Sequence, residues 1–312
     1  MFKFGFSQDD NDINEDDSKQ LSWFPAAEIK VTPEQIQEEY SPDDYTETQI
    51  CGTDIRIIRS DNVVVSLTSE EHENIVKAES QHSDLLPAVY EGGLKIWECS
   101  YDLGRYVMET GVQLDGKKIL DLGCGAGLIG LLTLLKGSSV HFQDYNAEVI
   151  KLVTIPNVLL NLEDRRLVHD KCEFYCGDWE SFTELSSKKY FKEEEKYDFI
   201  LTSETVYNPA NQTKLYEVFK RRLKDEGVGR RNETIRDSHR VEEHRRPVDV
   251  ALGKIRQQFS LLHHERFPAR NDAALFASIR ADLARKRSAS KVIVGILGRS
   301  FFHSTFNADS SS

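Results

Sequence analysis

The chain has 312 residues, a formal net charge of −12 and 39% hydrophobic residues. This length is enough to bury a sizeable core, and the acidic balance disfavours nonspecific binding to nucleic acid, because phosphates would be repelled. No apolar stretch approaches the ~20 residues that span a bilayer. The five cysteines are an odd number, and the N-terminus is acidic where a secretory signal would be basic and then apolar. We therefore expect a protein of the cytoplasm and nucleus, with reduced thiols and no membrane partner.

Residues 1–46 are predicted to form an acidic, disordered arm. They are rich in Asp, Glu, Gln and Ser and carry few apolar residues in sequence, so they bury too little surface to offset the entropy of ordering. A hairpin is predicted next, with strands over 55–58 and 63–65 and a turn over 60–62. This hairpin is the first part of a domain that we place over 47–227.

The rest of that domain alternates between strands and helices. Short apolar runs predict the strands, and apolar positions at helical spacing predict the helices. Such alternation is typical of an α/β fold with a doubly wound, mostly parallel sheet, whose ligand lies beyond the carboxyl ends of the strands. The predicted strands cover 117–122, 140–144, 172–176 and 197–202; the predicted helices cover 94–108, 127–136, 146–155 (ending before Pro156) and a segment from 209 that Gly227 ends.

The first of these strands runs into a glycine-rich turn, DLGCGAGLIG, at 121–130. Part of the turn matches the G-x-G-x-x-G dinucleotide fingerprint, and Asp144 follows about 20 residues later, where an acid binds ribose. Asp121, however, stands where a pyrophosphate would meet the helix N-terminus, and a carboxylate there disfavours anions. S-adenosylmethionine carries a sulfonium and an ammonium, which favour nearby carboxylates. We therefore predict a site for S-adenosylmethionine, with a nicotinamide or flavin oxidoreductase as the alternative.

Five segments of the chain carry a likeness to a known family. They are GGLKIWECS (92–100), KKILDLGCGAGLIG (117–130), HFQDYN (141–146), GDW (177–179) and LTSETVYN (201–208). Together they resemble the protein-histidine N-methyltransferases, which are seven-strand methyltransferases that modify a histidine of a ribosomal large-subunit protein. The resemblance, which covers about residues 80–227, implies that fold, S-adenosylmethionine as cofactor, methyl transfer to a protein histidine and a ribosomal protein as partner.

The resemblance also implies the residues that bind cofactor and substrate. We expect Trp97 to wall off the methionine end of the cofactor and Asp144 to accept hydrogen bonds from both ribose hydroxyls. Asp178 would accept one from the adenine amino group. Glu204 and Tyr207 are the expected catalytic residues, which orient the imidazole. The implied cofactor contacts, with Asp121 added for its charge, are Ile96, Trp97, Glu98, Cys99, Ser100, Asp121, Gly123, Gln143, Asp144, Tyr145, Gly177, Asp178, Trp179 and Ser203.

Two further functions stay open for this domain. A protein-lysine methyltransferase would need a base or a lowered lysine pKa, because the amine must lose a proton. A methyltransferase-like binding module would keep the fold without catalysis. A metal site is not predicted, because His169, Cys172 and Cys176 match no standard zinc spacing.

After Gly227 the resemblance stops and the charge balance becomes basic. The family would continue with a fifth strand and a closing pair of strands, but residues 228–312 are rich in arginine and poor in apolar periodicity. We interpret them as a divergent basic tail, disordered or from an aberrant reading frame, so that the usual C-terminal strands are missing or replaced. The one good strand candidate is 292–297, and the basic run 285–287 is a candidate nuclear address. Without a fifth strand, the fourth would expose an unpaired apolar edge.

Overall fold

The computed structural model describes residues 23–66, 89–109, 111–203, 205, 209–224 and 292–295. Residues Ala147 to Asn161 form one continuous helical stretch, with a π-helical turn, Ile150–Thr154, in its middle. In chain order the elements are β1 (Ala27–Ile29), α1 (Pro33–Gln37), β2 (Tyr45–Ile50), β3 (Thr53–Ile58), α2 (Ser60–Ser66), α3 (Glu98–Glu109), β4 (Lys118–Leu122), α4 (Leu128–Leu134), β5 (Ser139–Asp144), α5 (Ala147–Val149), α6 (Ile155–Asn161), α7 (Val168–Lys171), β6 (Cys172–Cys176), α8 (Trp179–Lys189), β7 (Phe199–Ser203), α9 (Pro209–Arg222) and β8 (Val292–Gly295).

The central sheet has the strand order β1-β6-β5-β4-β7-β8. Strands β4 to β8 pair in parallel, whereas β1 pairs antiparallel with β6. From β4 the chain moves outward through β5 and β6 and then continues on the other side with β7. The strand order therefore reverses beside β4, which is where open α/β sheets bind ligands. The predicted doubly wound, mostly parallel sheet is confirmed.

Helices cover both faces of this sheet. On one face, Ile119 of β4 belongs to a buried cluster with Leu103 of α3 and Leu131 of α4. On the other face, Leu120 and its neighbour Leu122 belong to a second cluster with Phe182 of α8 and Leu215 of α9. Because neither face meets water, Ile119, Leu120 and Leu122 are all buried, and β4 does not alternate between apolar and polar residues.

The edge of β7 that was expected to be unpaired carries a strand. Strand β8 pairs with β7 in parallel, from Ile200 opposite Val292 to Ser203 opposite Gly295. The predicted bare edge is therefore wrong over these residues, and the strand candidate in the divergent tail stands where a fifth strand belongs. The remaining residues of 228–312 lie outside those that the structure describes.

The N-terminal arm is also ordered from residue 23 onward, contrary to the predicted disorder of 1–46. Strand β1 pairs with β6, with Ala27 opposite Cys176. Helix α1 begins with a capping box between Thr32 and Gln35, followed by Pro33. The prediction averaged composition over the whole arm and so missed these local signals. Residues 1–22 lie outside the described part.

Three predicted element boundaries differ from the structure. The hairpin pairs β2 with β3 around a turn at Cys51 and Gly52, both with positive φ, whereas residues 63–65 lie in α2. Pro156 does not end its helix, since it occupies one of the first two positions of α6, directly after the π-helical turn. Helix α3 begins only at Glu98, because the segment before it is a loop that begins with Gly92 at positive φ.

Two global expectations can be compared with the described residues. Among them, no helix combines the length and the apolar content that crossing a bilayer requires. All five cysteines are free thiols, and Cys51 is the exposed one.

Candidate functional site

An open cleft of about 800 Å³, counting its mouth, lies at the carboxyl ends of β4, β5, β6 and β7. It is bounded by the glycine-rich turn, the loop before α3 and the loops that follow β5 and β6. Ten of the predicted cofactor contacts line it, namely Ile96, Trp97, Ser100, Gly123, Asp144, Tyr145, Gly177, Asp178, Trp179 and Ser203. The fold therefore brings together segments that are far apart in the sequence.

The glycine-rich turn needs glycine for both backbone conformation and space. Gly123, Gly125 and Gly127 all have left-handed φ values, of 65°, 50° and 75°, which L side chains rarely adopt. A Cβ on Gly123 would lie 2.7 Å from Thr205 Cγ2, and a Cβ on Gly125 would lie 3.1 Å from the carbonyl oxygen of Gly93. The turn thus presents bare backbone to the cleft, as close approach to a ligand requires.

Asp121 lies beneath this turn and is not among the residues that line the cleft; its predicted role as a direct contact stays a prediction. Its Oδ2 accepts the Gly130 N–H at 2.7 Å, in the first turn of α4, and its side chain is buried. Burial raises the pKa of this carboxyl to about 7. The helix N-terminus, which attracts anions, is therefore already occupied by a carboxyl group of the protein.

Asp144 ends β5 and lines the cleft. Its Oδ2 accepts the Gly125 N–H at 2.8 Å, and its Oδ1 accepts the Asn146 N–H at 3.2 Å. Burial raises its pKa to about 6, although the backbone donors, Gly125 first, oppose that rise. The carboxyl group thus ties the glycine-rich turn to the end of β5 and is mainly ionised at neutral pH.

Gln143, the residue before Asp144, supports the loop after β6, which forms another side of the cleft. It is fully buried; its Nε2 donates to the Gly177 carbonyl at 2.8 Å, and its Oε1 accepts the Trp179 Nε1–H at 3.0 Å. Gln143 is not among the residues that line the cleft, and its predicted contact with the cofactor stays a prediction. Its side chain and that of Asp144, which lines the cleft, point to opposite faces of β5. Through its two hydrogen bonds, Gln143 orients Gly177 and Trp179, which also line the cleft.

Asp178 has a partner that the sequence did not indicate. Its Oδ2 caps α8 by accepting the Glu180 N–H at 2.9 Å, while its Oδ1 pairs with Lys214 Nζ at 2.5 Å. Both oxygens of the expected adenine acceptor are therefore engaged within the protein.

The segment before and into α3 divides by side-chain direction. Ile96, Trp97 and Ser100 line the cleft, with Trp97 Nε1–H donating to the Gly92 carbonyl at 3.3 Å. Ile96 and Trp97 lie in the loop before α3, and Ser100 lies in its first turn. Glu98 is exposed and Cys99 is buried in the core; neither is among the residues that line the cleft, and their predicted contacts with the cofactor stay predictions.

The predicted catalytic residues, Glu204 and Tyr207, lie outside the residues that the structure describes. Ser203 and Thr205, on either side of position 204, both line the cleft. The Thr205 hydroxyl lies 2.7 Å from that of Thr202, which fixes the strand end here.

The cleft also contains residues that the sequence reasoning missed. Asn211, on α9, is 8% exposed, and its Oδ1 has no hydrogen-bond partner among the described residues. A buried acceptor without a partner is costly, so a ligand with an N–H or O–H group fits here. The other missed residues are Trp23, Glu91, Gly92, Gly93, Lys95, Cys124, Gly125, Ala126, Leu128 and Thr205.

The chain is similar to several known proteins. A family model described as "Lysine methyltransferase" matches residues 88–243. The Bos taurus protein named "Histidine protein methyltransferase 1 homolog" is 48% identical over 178 residues, which are 50% of this chain and 47% of that protein. Its Dictyostelium discoideum namesake is 46% identical over 145 residues, 46% of this chain and 44% of that protein. "Histidine protein methyltransferase 1" of Schizosaccharomyces pombe is 26% identical over 261 residues, 70% of this chain and 76% of that protein.

The chain thus spans about half the length of the bovine and Dictyostelium relatives. The resemblance that the sequence motifs indicated is confirmed by these identities. The family match extends over half of the chain and contains the glycine-rich turn, β4 to β7 and the loops that form the cleft. The chain therefore belongs to the methyltransferase family that this model describes.

Proposed function

We propose that the cleft binds S-adenosylmethionine. The observation that carries this proposal is the hydrogen bond from the Gly130 N–H to Asp121 at the first turn of α4. A dinucleotide pyrophosphate relies on backbone donors at this place, and here a carboxyl group of the protein has taken one of them. A sulfonium cofactor needs no phosphate donors, so it loses nothing by this arrangement.

Asp144 supports the same ligand from the rim of the cleft. Its backbone donors are Gly125, Asn146 and Tyr145. A carboxylate has about four lone-pair positions, so Asp144 can still accept from a ribose hydroxyl. Its negative charge also favours a ligand with positive charge.

We further propose that the acceptor is a histidine side chain of a protein, in a ribosomal large-subunit protein. The names of the relatives that share the cleft segments support histidine. When bound, the cofactor supplies a methyl group on a positively charged sulfur. A neutral imidazole, with a pKa near ~6.5, would accept that methyl group without a strong base, and its ring N–H proton would then pass to solvent.

The protein's part in this reaction is alignment of the imidazole nitrogen with the methyl carbon, which can contribute several kcal/mol. We propose Glu204 as the acceptor that holds the second ring N–H and so selects the attacking nitrogen. Tyr207 is proposed to support the same orientation. Replacement of Glu204 by Gln should slow transfer and leave cofactor binding intact; unchanged turnover would remove Glu204 from the mechanism.

The test is transfer of a radiolabelled methyl group from S-adenosylmethionine to ribosomal proteins, followed by mass spectrometry of the labelled residue. Label on histidine supports the proposal. Label on lysine would support the second candidate, which the family description favours. A lysine acceptor would also show a steep rise of rate with pH, because only the neutral amine attacks.

A binding module without catalysis is a further alternative, because the chain matches only about half the length of the bovine and Dictyostelium relatives. It would bind adenosylhomocysteine and transfer no label to any ribosomal protein. An oxidoreductase would bind NAD and ignore adenosylhomocysteine. The two ligand titrations and the transfer assay therefore separate the candidates.

A further inference from the structure

Residues 23–26 of the N-terminal arm, directly before β1, contact the cleft at the ends of β5 and β6. The Asp178 N–H donates to the Phe24 carbonyl at 2.9 Å, and the Ala26 N–H donates to Ser181 Oγ at 2.8 Å. The Phe24 N–H donates to the Tyr145 hydroxyl at 3.1 Å. The arm is thus bonded to the two loops that follow β5 and β6.

Close packing confirms that this contact is part of the fold. A Cβ on Gly177 would lie 2.5 Å from the carbonyl oxygen of Pro25 and 2.6 Å from Ala26 Cα. Gly177 also has a left-handed φ of 97°. Any side chain at Gly177 would therefore push the arm away, since these are backbone atoms that cannot rotate aside.

The arm brings an aromatic side chain to the cleft. Trp23 lines the cleft, and its ring meets that of Tyr145 edge-on, with centroids 5.8 Å apart. Lys214 Nζ lies 3.9 Å from the centre of the Trp23 ring and also pairs with Asp178. Such a cation over an indole fixes the ring in place.

We propose that Trp23 is a cofactor-binding residue and that the arm completes the adenine end of the cleft. The inference rests on the proposed function. Asp144 marks the ribose position, so the loop at 177–179 stands beside the base, and this loop is where the arm binds. Trp23, Tyr145 and Trp179 surround this end with aromatic surface, on which a purine base can stack. One such stacking contact changes affinity by about tenfold.

The chain offers a direct probe, because its three tryptophans, Trp23, Trp97 and Trp179, all line the cleft. A full-length W97F/W179F variant leaves Trp23 as the only indole. Adenosylhomocysteine should change its emission, with saturation at the dissociation constant that calorimetry gives. The same titration with S-methylthioribose analogues that lack the base should leave the emission unchanged.

Affinity variants test the energetic part. Trp23→Ala should weaken adenosylhomocysteine binding about tenfold, whereas Trp23→Phe should retain most of it. Phe191→Ala is the matched control: this residue is 74% exposed and lies outside the cleft lining, so affinity should change less than twofold. If the wild type binds, two results would overturn the role of Trp23 alone. One is unchanged affinity in Trp23→Ala; the other is unchanged Trp23 emission in the W97F/W179F variant when calorimetry shows that this variant binds. Absence of binding by the wild type would overturn the proposed function as well.

Discussion

Two polar regions of the protein, at opposite ends of the same strands, use buried charge differently. At the amino ends, His141 Nδ1 lies 2.9 Å from the Tyr197 hydroxyl, and Glu173 accepts from Tyr175, Tyr190 and, at 3.1 Å, Lys189. We call these residues the amino-end cluster. At the carboxyl ends, Asp144 borders an open cleft and Asn211 keeps an acceptor without a partner among the described residues.

The comparison teaches that burial of a titratable group does not by itself mark a site. The amino-end cluster has strongly shifted groups, since burial lowers the pKa of His141 to about 3. Its members hydrogen-bond to one another, however, and none of them lines the cleft. We therefore assign stability to the amino-end cluster and ligand binding to the cleft, and each of the following changes should affect one region and spare the other.

The largest expected effect is on binding, from Asp144→Asn. The amide loses the charge and one of the acceptor positions for ribose hydroxyls, so the affinity for adenosylhomocysteine should fall about 100-fold by calorimetry. Wild-type affinity should also fall as the pH drops below about 6, where Asp144 gains a proton, and the variant should lack that dependence. The exposed Asp170 on α7 gives the control Asp170→Asn, which should bind like the wild type; equal affinities of both variants would contradict the role of Asp144.

The next effect is on stability, from Glu173→Ala in the amino-end cluster. The change leaves two tyrosine hydroxyls and Lys189 without their shared acceptor, so the free energy of unfolding in urea should fall by about 2 kcal/mol. Affinity for adenosylhomocysteine should stay within twofold. Glu194→Ala, at an exposed position, should change stability by less than about 0.5 kcal/mol. Loss of ligand affinity in Glu173→Ala would mean that the two regions are coupled.

The pH dependence of stability should have opposite signs in the two regions. His141 has a folded pKa of about 3 against about 6.5 unfolded, so between these values only the unfolded chain binds the proton and acid destabilises the fold. Asp121 has a folded pKa of about 7 against about 3.9 unfolded, so in its window the folded chain binds the proton and acid stabilises the fold.

His141→Gln should therefore gain stability relative to the wild type on acidification below pH 6.5, by up to ~1.4 kcal/mol per pH unit. Asp121→Asn should lose stability relative to the wild type between pH 7 and pH 4. Urea unfolding at several pH values measures both differences. Parallel curves for wild type and either variant would show that the residue does not titrate as its burial implies.

The smallest effect concerns Asn211. Replacement by Leu, of similar size, removes a buried acceptor that has no partner among the described residues, so the unliganded protein should gain about 1 kcal/mol of stability. Ligand affinity should decrease, because a ligand donor loses its acceptor. A stabilised variant with unchanged affinity for both cofactor and protein substrate would show that this acceptor faces no ligand.

The same comparison explains how much could be predicted from the sequence. Strands β4 to β7 were predictable because each contains a short group of apolar residues, as buried parallel strands do, and the cleft followed because carboxyl ends of such strands meet at one edge. Glu98 and Cys99 were predicted to lie in the site because they follow Trp97 in the sequence motif. In a helix, however, successive residues point to different faces.

Other features depend on contacts between distant segments. Trp23 reaches the cleft only because β1 pairs with β6, and nothing in the composition of the arm indicates that pairing. Asp121 and Gln143 were predicted to contact the ligand; their side chains bond instead to Gly130, in the first turn of α4, and to Trp179, which lines the cleft. Sequence spacing locates such residues near a site but not the direction of their side chains.

The central claim is that the cleft accepts an adenosyl-sulfur ligand in preference to a diphosphate. Calorimetric titration of the full chain with adenosylhomocysteine, and in parallel with NAD, tests it most directly. We predict saturable binding of one adenosylhomocysteine per chain and no heat of binding with NAD. Saturation by NAD, with no response to adenosylhomocysteine, would contradict the account.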